Sequence, residues 1–310
     1  MSALRDGVDE YLTLRRSLGF LLRSHGTLLH DFVSFVETRE AEVITIDLAL
    51  RWATRQSRVS PGWWNNQLGV VRGFTRYWSA RDPRTEVPPL GMLPKRAQRP
   101  SPYLYTDGDV QRLLQSAGCL RSRSKLWPTT MATLIGLLSV TGMRIGEALG
   151  LDDEDIDWDE GVITIRRAKF GKSRLIPLHR TTRSALESYA QQRDRIWVPA
   201  RRSPFFPSPT WKRLRNCQVH RTFGVLLRFA GLPCTRDYRG PSLHDFRHRF
   251  AVNTLVRWYR AGLDIERHIF SLSTFLGHSC VANTYWYLAA APELMGLACG
   301  RFERALGELP

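Results

Sequence analysis

The sequence predicts a mainly α protein with a small antiparallel β-sheet, divided into two units. Three observations lead there. Apolar residues recur at three- and four-residue spacing over most of the chain, the period of helices with one buried face. Two short β-branched stretches, residues 161–166 and 174–178, flank a basic turn and read as a hairpin. Between them and the N-terminus lie Pro83, Pro88, Pro89, Pro94, Pro100 and Pro102, too dense a run to be helical. With 310 residues and an apolar fraction of 43%, each side of that run is long enough to bury its own core.

Residues 1–97 read as an all-helical unit. Tyr11, Leu14, Leu18 and Leu21 mark a first apolar face, and Leu28, Leu29, Phe32, Val33, Phe35 and Val36 a second. Thr45 offers a cap for a third helix carrying Leu48, Leu50 and Trp52. Ser60-Pro61 starts a fourth, with Trp63, Trp64, Leu68, Val71, Phe74, Tyr77 and Trp78. Arg51, Arg55, Arg58, Arg72, Arg76 and Arg81 interleave with these positions, a pattern that fits a DNA groove and a solvated face over an aromatic core equally well. The proline-rich connector also holds Lys95, Arg96 and Arg99; the boundary falls within 83–103, with 98–105 as the linker proper.

Beyond the linker, Thr106 opens a helix through Leu113 and Leu114, and Trp127-Pro128 a more apolar one through Leu134, Leu137, Leu138 and Val140. That helix runs into Thr141-Gly-Met-Arg144-Ile-Gly-Glu147-Ala-Leu-Gly-Leu151, where Arg144 and Glu147 lie one helical turn apart. The spacing is also that of an ordinary surface ion pair, but Ile145, Ala148 and Leu149 beside it predict a partly buried arginine in need of partners. Asp152 to Glu160 is expected as a solvated acidic turn or as a shield against misplaced phosphates. The hairpin tip carries Lys169 and Lys172. A cationic tip is commonly just exposed, yet a lysine on a short turn can also enter a minor groove and deliver a proton.

A helix near 180–197, a Pro- and Arg-rich loop over 199–215 and a helix over 219–230 come next. In Ser242-Leu-His244-Asp-Phe-Arg247-His-Arg249, Ser242 is the expected N-cap, and His244 and Arg247 share a face. Residues 271–287 close one helix at Leu-Gly-His278-Ser and open another carrying Tyr285 and Tyr287. At about 100° per residue these tyrosines point some 200° apart, so only one can face a site near His278. A buried aromatic ladder behind a glycine cap is the plainer reading of that stretch taken alone. A last amphipathic segment starts at Pro292 and carries Leu297, Phe302 and Leu306.

The net charge of +16 describes a field that attracts a polyanion, nucleic acid or anionic membrane. Of 45 basic residues 5 are lysine, which leaves 40 arginines; their planar fork suits phosphate oxygens, although a GC-rich genome produces the same bias. Cys119, Cys217, Cys234, Cys280 and Cys299 are odd in number and never spaced C-x-x-C, which argues against a disulfide framework or zinc finger and fits a reducing cytoplasm. The chain opens on polar residues without a leader, and its longest apolar run, 131–143, is too short to span a bilayer, so no membrane is expected. No P-loop and no carboxylate cluster suited to magnesium is present, and no cofactor is expected.

In their order, Arg144, Lys169, His244-x-x-Arg247, His278 and Tyr287 resemble the signature of the tyrosine recombinase, or phage integrase, family, across the C-terminal two-thirds of the chain. Thr-Gly-Met-Arg-Ile-Gly-Glu-Ala-Leu is similar to its first arginine motif, Leu-His-Asp-Phe-Arg-His to its His-x-x-Arg motif, and Leu-Gly-His-Ser with a tyrosine nine residues on to its nucleophile motif. The resemblance implies a helical core-binding (SAM-like) DNA-binding domain over 1–97 and a catalytic tyrosine recombinase domain over 106–310. It implies Tyr287, rather than Tyr285, as the nucleophile that forms a 3′-phosphotyrosine, Arg144 and Arg247 as clamps on the phosphate oxygens, and Lys169, with Lys172 as fallback, as the acid for the leaving 5′-oxygen. His244 would serve as acid or base toward the tyrosine, His278 would hydrogen-bond the phosphate, and Glu147 would orient the basic groups. The implied partner is double-stranded DNA, bound by a homo-tetramer on paired recombination sites in the cytoplasm at the nucleoid, with accessory DNA-bending proteins as candidate helpers. A type IB topoisomerase, which shares the chemistry, and a DNA-binding protein without catalysis are the alternatives. The chemistry is self-sufficient: clustered positive charge lowers the barrier to ionising a phenol, and a covalent phosphotyrosine keeps the phosphodiester energy for rejoining without metal or ATP.

Overall fold

Capping residues and apolar periodicity set four helices in the first ninety residues: α1 (Ala3–Ser17), α2 (Arg23–Glu37), α3 (Ile46–Thr54) and α4 (Pro61–Trp78). The computed structural model describes residues 3–307 except 21, 58, 95–101, 123, 167–172, 198–202, 235–239 and 291. Two units separate at Arg99 and Pro100, and each has its own core.

In the first unit, Val8 and Leu12 of α1 pack on Leu29, Phe32, Val33, Trp52, Leu68 and Phe74. Thr45 caps α3 by accepting from the Leu48 amide at 3.2 Å. Trp52 is fully buried, and its indole N–H donates to Asp31 at 3.0 Å, so the ring adds apolar contact without leaving a donor unsatisfied. Gly7 permits the close approach of α1 to α4: a Cβ there would lie 2.1 Å from the Trp78 ring. Of the expected α1 face, Tyr11 packs on the core, Leu14 and, past the helix end, Leu18 are 46% and 64% exposed, and Leu21 lies outside the described residues, while Val8 and Leu12 face inward. With leucines on two sides of one helix, spacing alone does not say which side the neighbours cover.

The interleaved arginines of this unit are largely committed to its own structure. Arg51 pairs with Asp47, Arg55 with Asp31 and Arg81 with Glu10. Arg72 donates to the Pro88 and Pro89 carbonyls at 2.6 and 2.9 Å, strapping the first half of the proline-rich stretch to α4. Arg76 is exposed, and Arg58 lies outside the described residues.

The second unit contains α5 (Asp107–Gly118), α6 (Trp127–Thr141), α7 (Ile145–Gly150), α8 (Arg180–Asp194), α9 (Asn216–Phe229), α10 (Asp245–Arg260), α11 (Ile265–Leu276), α12 (Ala282–Ala290) and α13 (Pro292–Gly307). Its antiparallel sheet runs β1 (Ile156–Asp157), β2 (Val162–Ile165), β3 (Arg174–Pro177), with Ile163 opposite Ile176. Thr106 and Asp109 form a capping box on α5. Of the expected linker, Tyr103 and Tyr105 pack on this unit: Tyr105 is buried, stacks on Phe246 at 4.3 Å and donates to the Ser242 carbonyl at 3.0 Å. Ser242 is not the N-cap of α10. His244 takes that place, and Ser242 donates from its amide and hydroxyl to Asp245, both at 2.7 Å.

The acidic run divides: Asp157, Asp159 and Glu160 are exposed at the turn between β1 and β2, as expected, but its first half is committed to ion pairs. Asp152 pairs with Arg213, Asp153 with Arg193 and Asp155 with Arg166, and Asp155 is buried. These carboxylates tie the turn before β1 to α8 and to the segment ahead of α9. They therefore neutralise arginines of their own unit, which leaves little of their charge to repel phosphate.

Among the described residues, no helix is long and apolar enough to cross a membrane. Phe246 is fully buried between Tyr105 and Phe223 and directly precedes Arg247. Phe246→Ala is expected to destabilise the second unit by about 3–5 kcal/mol, the range for an emptied aromatic site; denaturant unfolding of the full chain followed by circular dichroism measures it, and a change below about 1 kcal/mol contradicts this account of the core.

Candidate active site

A helix end organises the site. Gly277 adopts the left-handed conformation (φ 65°) and terminates α11. The returning amides of Gly277 and His278 bond the Thr274 and Ser273 carbonyls at 2.9 and 3.0 Å. The next three carbonyls, of Phe275, Leu276 and Gly277, receive guanidinium groups from three other elements. Arg174, first residue of β3, donates from Nε to Phe275 at 2.9 Å. Arg247, in the first turn of α10, donates from Nη2 to Leu276 at 2.5 Å. Arg144, N-cap of α7, donates from Nη2 to Gly277 at 2.9 Å. Cations at a helix C-terminus are favoured by its partial negative charge. Arg247 also donates from Nη1 to the Gly142 carbonyl at 3.0 Å, where α6 ends in the same left-handed way.

Glu147 is the counter-ion. Its Oε1 accepts from Arg144 Nη1 at 2.9 Å and Arg174 Nη1 at 3.0 Å, and its Oε2 accepts from Arg174 Nη2 at 2.7 Å and the Arg144 amide at 2.8 Å. Burial works to raise the Glu147 pKa, but the bonds from Arg174 and Arg144 outweigh it and hold the carboxyl below its usual range. Arg247 is 1% exposed. Burial, and next the charge of Arg144, lower its pKa to about 10, so it remains cationic at neutral pH.

His278 follows the glycine turn, and its Nδ1 lies 2.8 Å from Thr284 Oγ1 of α12. Burial first, then the charges of Arg247, Arg144, His244 and Arg174, lower its pKa to about 4. The imidazole is therefore neutral at physiological pH. Tyr287 is 2% exposed and lies beside it, ring centroids 6.0 Å apart at 22°. The phenol is close enough to Arg247 for its charge to favour the guanidinium cation. Tyr285, on the opposite side of α12, is 44% exposed. The 200° argument thus resolves in favour of Tyr287. His244 is exposed at the start of α10, its ring edge-on to His248 at 4.7 Å. Arg144, Glu147, Arg247, His278 and Tyr287 are thus gathered, with His244 at the rim; Lys169 and Lys172 lie outside the described residues. A concavity of about 750 Å³ opens beside them, lined by Arg144, Glu147, Asp152, Arg166 and His244.

Two residues of the cluster escaped the sequence reading. His248 is buried with its ring 5.4 Å from Tyr287 and 5.1 Å from Trp286; its signal was its position four residues after His244, on the same helix face. Arg174 was read only as the start of a strand. Its signal was alternation, since it shares a face with Ile176, which is fully buried, while Leu175 between them is 62% exposed.

Known proteins resemble this chain in sequence and in fold. The phage integrase family pattern matches residues 106–293. A putative integrase/recombinase of Sinorhizobium fredii, y4rB, is 49% identical over 308 residues, covering 98% of both chains. Tyrosine recombinase XerD of Caulobacter vibrioides is 29% identical over 90% of this chain and 84% of its own. The fold is shared with the Tn1549 transposon integrase in complex with transposon right end DNA, at TM-score 0.67, 18% identity and coverage of 96% and 98%. This chain belongs to the phage integrase family, the tyrosine recombinases.

The neutral state of His278 has a measurable consequence. Folded, it binds a proton only near pH 4, whereas an unfolded imidazole does so below about 6.5. Between those values the unfolded state holds more protons, so stability is lost as pH falls through that window. Replacing His278 by Gln removes this contribution: the variant is expected to lose less Tm than the wild type between about pH 7 and 4.5. Parallel Tm-versus-pH curves for the two proteins refute the assignment.

Proposed function

We infer that this protein is a site-specific DNA recombinase of the tyrosine class, an integrase or transposase that cuts and rejoins double-stranded DNA through a 3′-phosphotyrosine. The observation that carries the reading is the placement of the Tyr287 ring beside His278, in the cluster that also holds Arg144 and Arg247. A nucleophile and the cations that stabilise its target already share one site.

Arg144 and Arg247 hold the non-bridging oxygens of the scissile phosphate and stabilise the charge that grows on them in the pentavalent transition state. The Tyr287 oxygen attacks phosphorus. A P–O bond to the phenol forms, the bond to the 5′-oxygen breaks, and the phenolic proton passes to His244. Lys169, or Lys172 in its place, protonates the departing 5′-oxygen. His278, neutral at working pH, contributes a hydrogen bond to the phosphate without charge. Rejoining reverses each step with a 5′-hydroxyl from the partner strand. Because Tyr287 is almost fully buried, α12 must shift when DNA is seated.

Residues 1–97 are proposed as the core-binding DNA-contacting domain. Leu294 and Leu297 of α13 pack against the core of their own unit, which fits a monomer or dimer in solution. We propose assembly into a homo-tetramer on paired sites, with accessory DNA-bending proteins, at the nucleoid in the cytoplasm.

A nicked suicide substrate carrying the ends of the element that encodes the protein tests the reading. Wild type is expected to form a covalent adduct that disappears in Tyr287→Phe and survives in Tyr285→Phe. Arg144→Ala and Arg247→Ala are each expected to slow adduct formation about 100-fold or more, on the order of 3 kcal/mol of transition-state stabilisation. No adduct on the cognate ends points to a DNA-binding protein without catalysis, and relaxation of any supercoiled plasmid without site preference points to a type IB topoisomerase.

A further inference from the structure

Arg174 occupies a place that the proposed chemistry does not use. Its side chain is 9% exposed, against 30% for Arg144. All three of its guanidinium nitrogens are engaged: Nε on the Phe275 carbonyl, Nη1 and Nη2 on the two oxygens of Glu147. With the side chain so buried, little of it is left to offer a phosphate. The Arg144 guanidinium, by contrast, meets Glu147 through Nη1 alone and Gly277 through Nη2, and remains partly exposed on the concavity.

Charge makes the relation sharper. Glu147 with Arg144 alone is a closed pair of net charge zero, in which the carboxylate competes with any phosphate for the same guanidinium. With Arg174 on both carboxylate oxygens, two cations share one anion and the trio carries net +1. The position of the carboxylate is also fixed, since a bidentate fork fixes both distance and plane. Arg174 is itself wedged against the glycine turn, where a Cβ on Gly277 would lie 2.8 Å from its Nη1.

We propose that Arg174 is a positioning residue for phosphate activation: by holding Glu147 and the end of α11, it aims Arg144 at the scissile phosphate and leaves that guanidinium's charge for the phosphate. The inference rests on the recombinase reading above, and Arg174 itself touches no DNA.

The test uses the full-length protein and the nicked suicide substrate in two versions, one with an ordinary scissile phosphate and one with a methylphosphonate, which lacks the negative charge that Arg144 answers. On the phosphate at saturating DNA, Arg174→Gln is expected to slow adduct formation about 10- to 100-fold, with DNA affinity within about 3-fold of wild type. On the methylphosphonate the gap to wild type is expected to shrink to within about 3-fold, as it should for Arg144→Ala. In the double variant Arg144→Ala/Arg174→Gln the two losses should not multiply, because Arg174 acts through Arg144. Should Arg174→Gln fail to fold, Arg174→Lys replaces it: one ammonium cannot span both Glu147 oxygens, and the same substrate dependence is expected at smaller size.

Unchanged cleavage by Arg174→Gln, a defect of equal size on both substrates, or multiplying losses in the double variant would each overturn the proposal and leave the recombinase reading intact. A wild type that forms no adduct, or a Tyr287→Phe variant that still does, overturns the reading itself.

Discussion

Three guanidinium groups on three consecutive carbonyls at one helix end are the constraint on which the rest of the second unit depends. A helix must leave its last carbonyls without intrahelical partners, and α11 leaves those of Phe275, Leu276 and Gly277 inside the protein. Leaving such acceptors bare would cost about 1–3 kcal/mol each. The chain satisfies them with arginines from β3, α10 and α7. This choice draws three cations into one small volume, and only Glu147 among their described partners carries a formal negative charge. Three positive charges against one leave the cluster at net +2. The excess is visible at a neighbour, for the charges of Arg247, Arg144 and Arg174 depress His278 beyond what burial does. An anion entering the neighbouring concavity would relieve that repulsion.

This arrangement explains why residues far apart in sequence are interdependent. Gly277 must be glycine to turn the chain and to admit Arg174 beside it. Arg247 joins the ends of α6 and α11 by bonding the carbonyls of Gly142 and Leu276, so the two left-handed turns are held as one object. Phe246, one residue earlier, is locked between Tyr105 and Phe223, which fixes where α10 begins. The clustering of the arginines is a by-product of satisfying two helix termini.

Local chemistry was readable from the sequence and long-range chemistry was not. The caps at Thr45 and Thr106 and the hairpin strands follow from residues within a few positions of one another, and the structure has them. The face of α1 did not follow, because Leu14 and Leu18 are as apolar as Val8 and Leu12, and only the position of neighbouring helices decides between them. The first half of the acidic run departed from expectation for the same reason. Its partners Arg193 and Arg213 lie 40 and 61 residues away, a separation at which spacing carries no information. Arg174 is the instructive case: β alternation put it on the buried face, yet a buried arginine makes sense only once Glu147 and the end of α11 are known.

How firmly Tyr287 is held bears on how such a site can be switched on. α12 has nine residues, too few for a helix to persist in water by itself, so its position is borrowed from α10, α11 and α13. Its polar tether is the contact between His278 and Thr284 at 2.8 Å, and its apolar anchor is the Tyr287 ring among Leu255, Leu272 and Leu276. Burying one such ring is worth about 1.5–3 kcal/mol, and the electrostatic interaction with Arg247 adds to it. A phosphate placed on Arg247 competes for that second contribution directly, since the guanidinium that holds the phenol is the one that would hold the DNA. An anion bound there would thus weaken the restraint on Tyr287, and the remaining apolar term is small enough for contacts elsewhere on the unit to overcome.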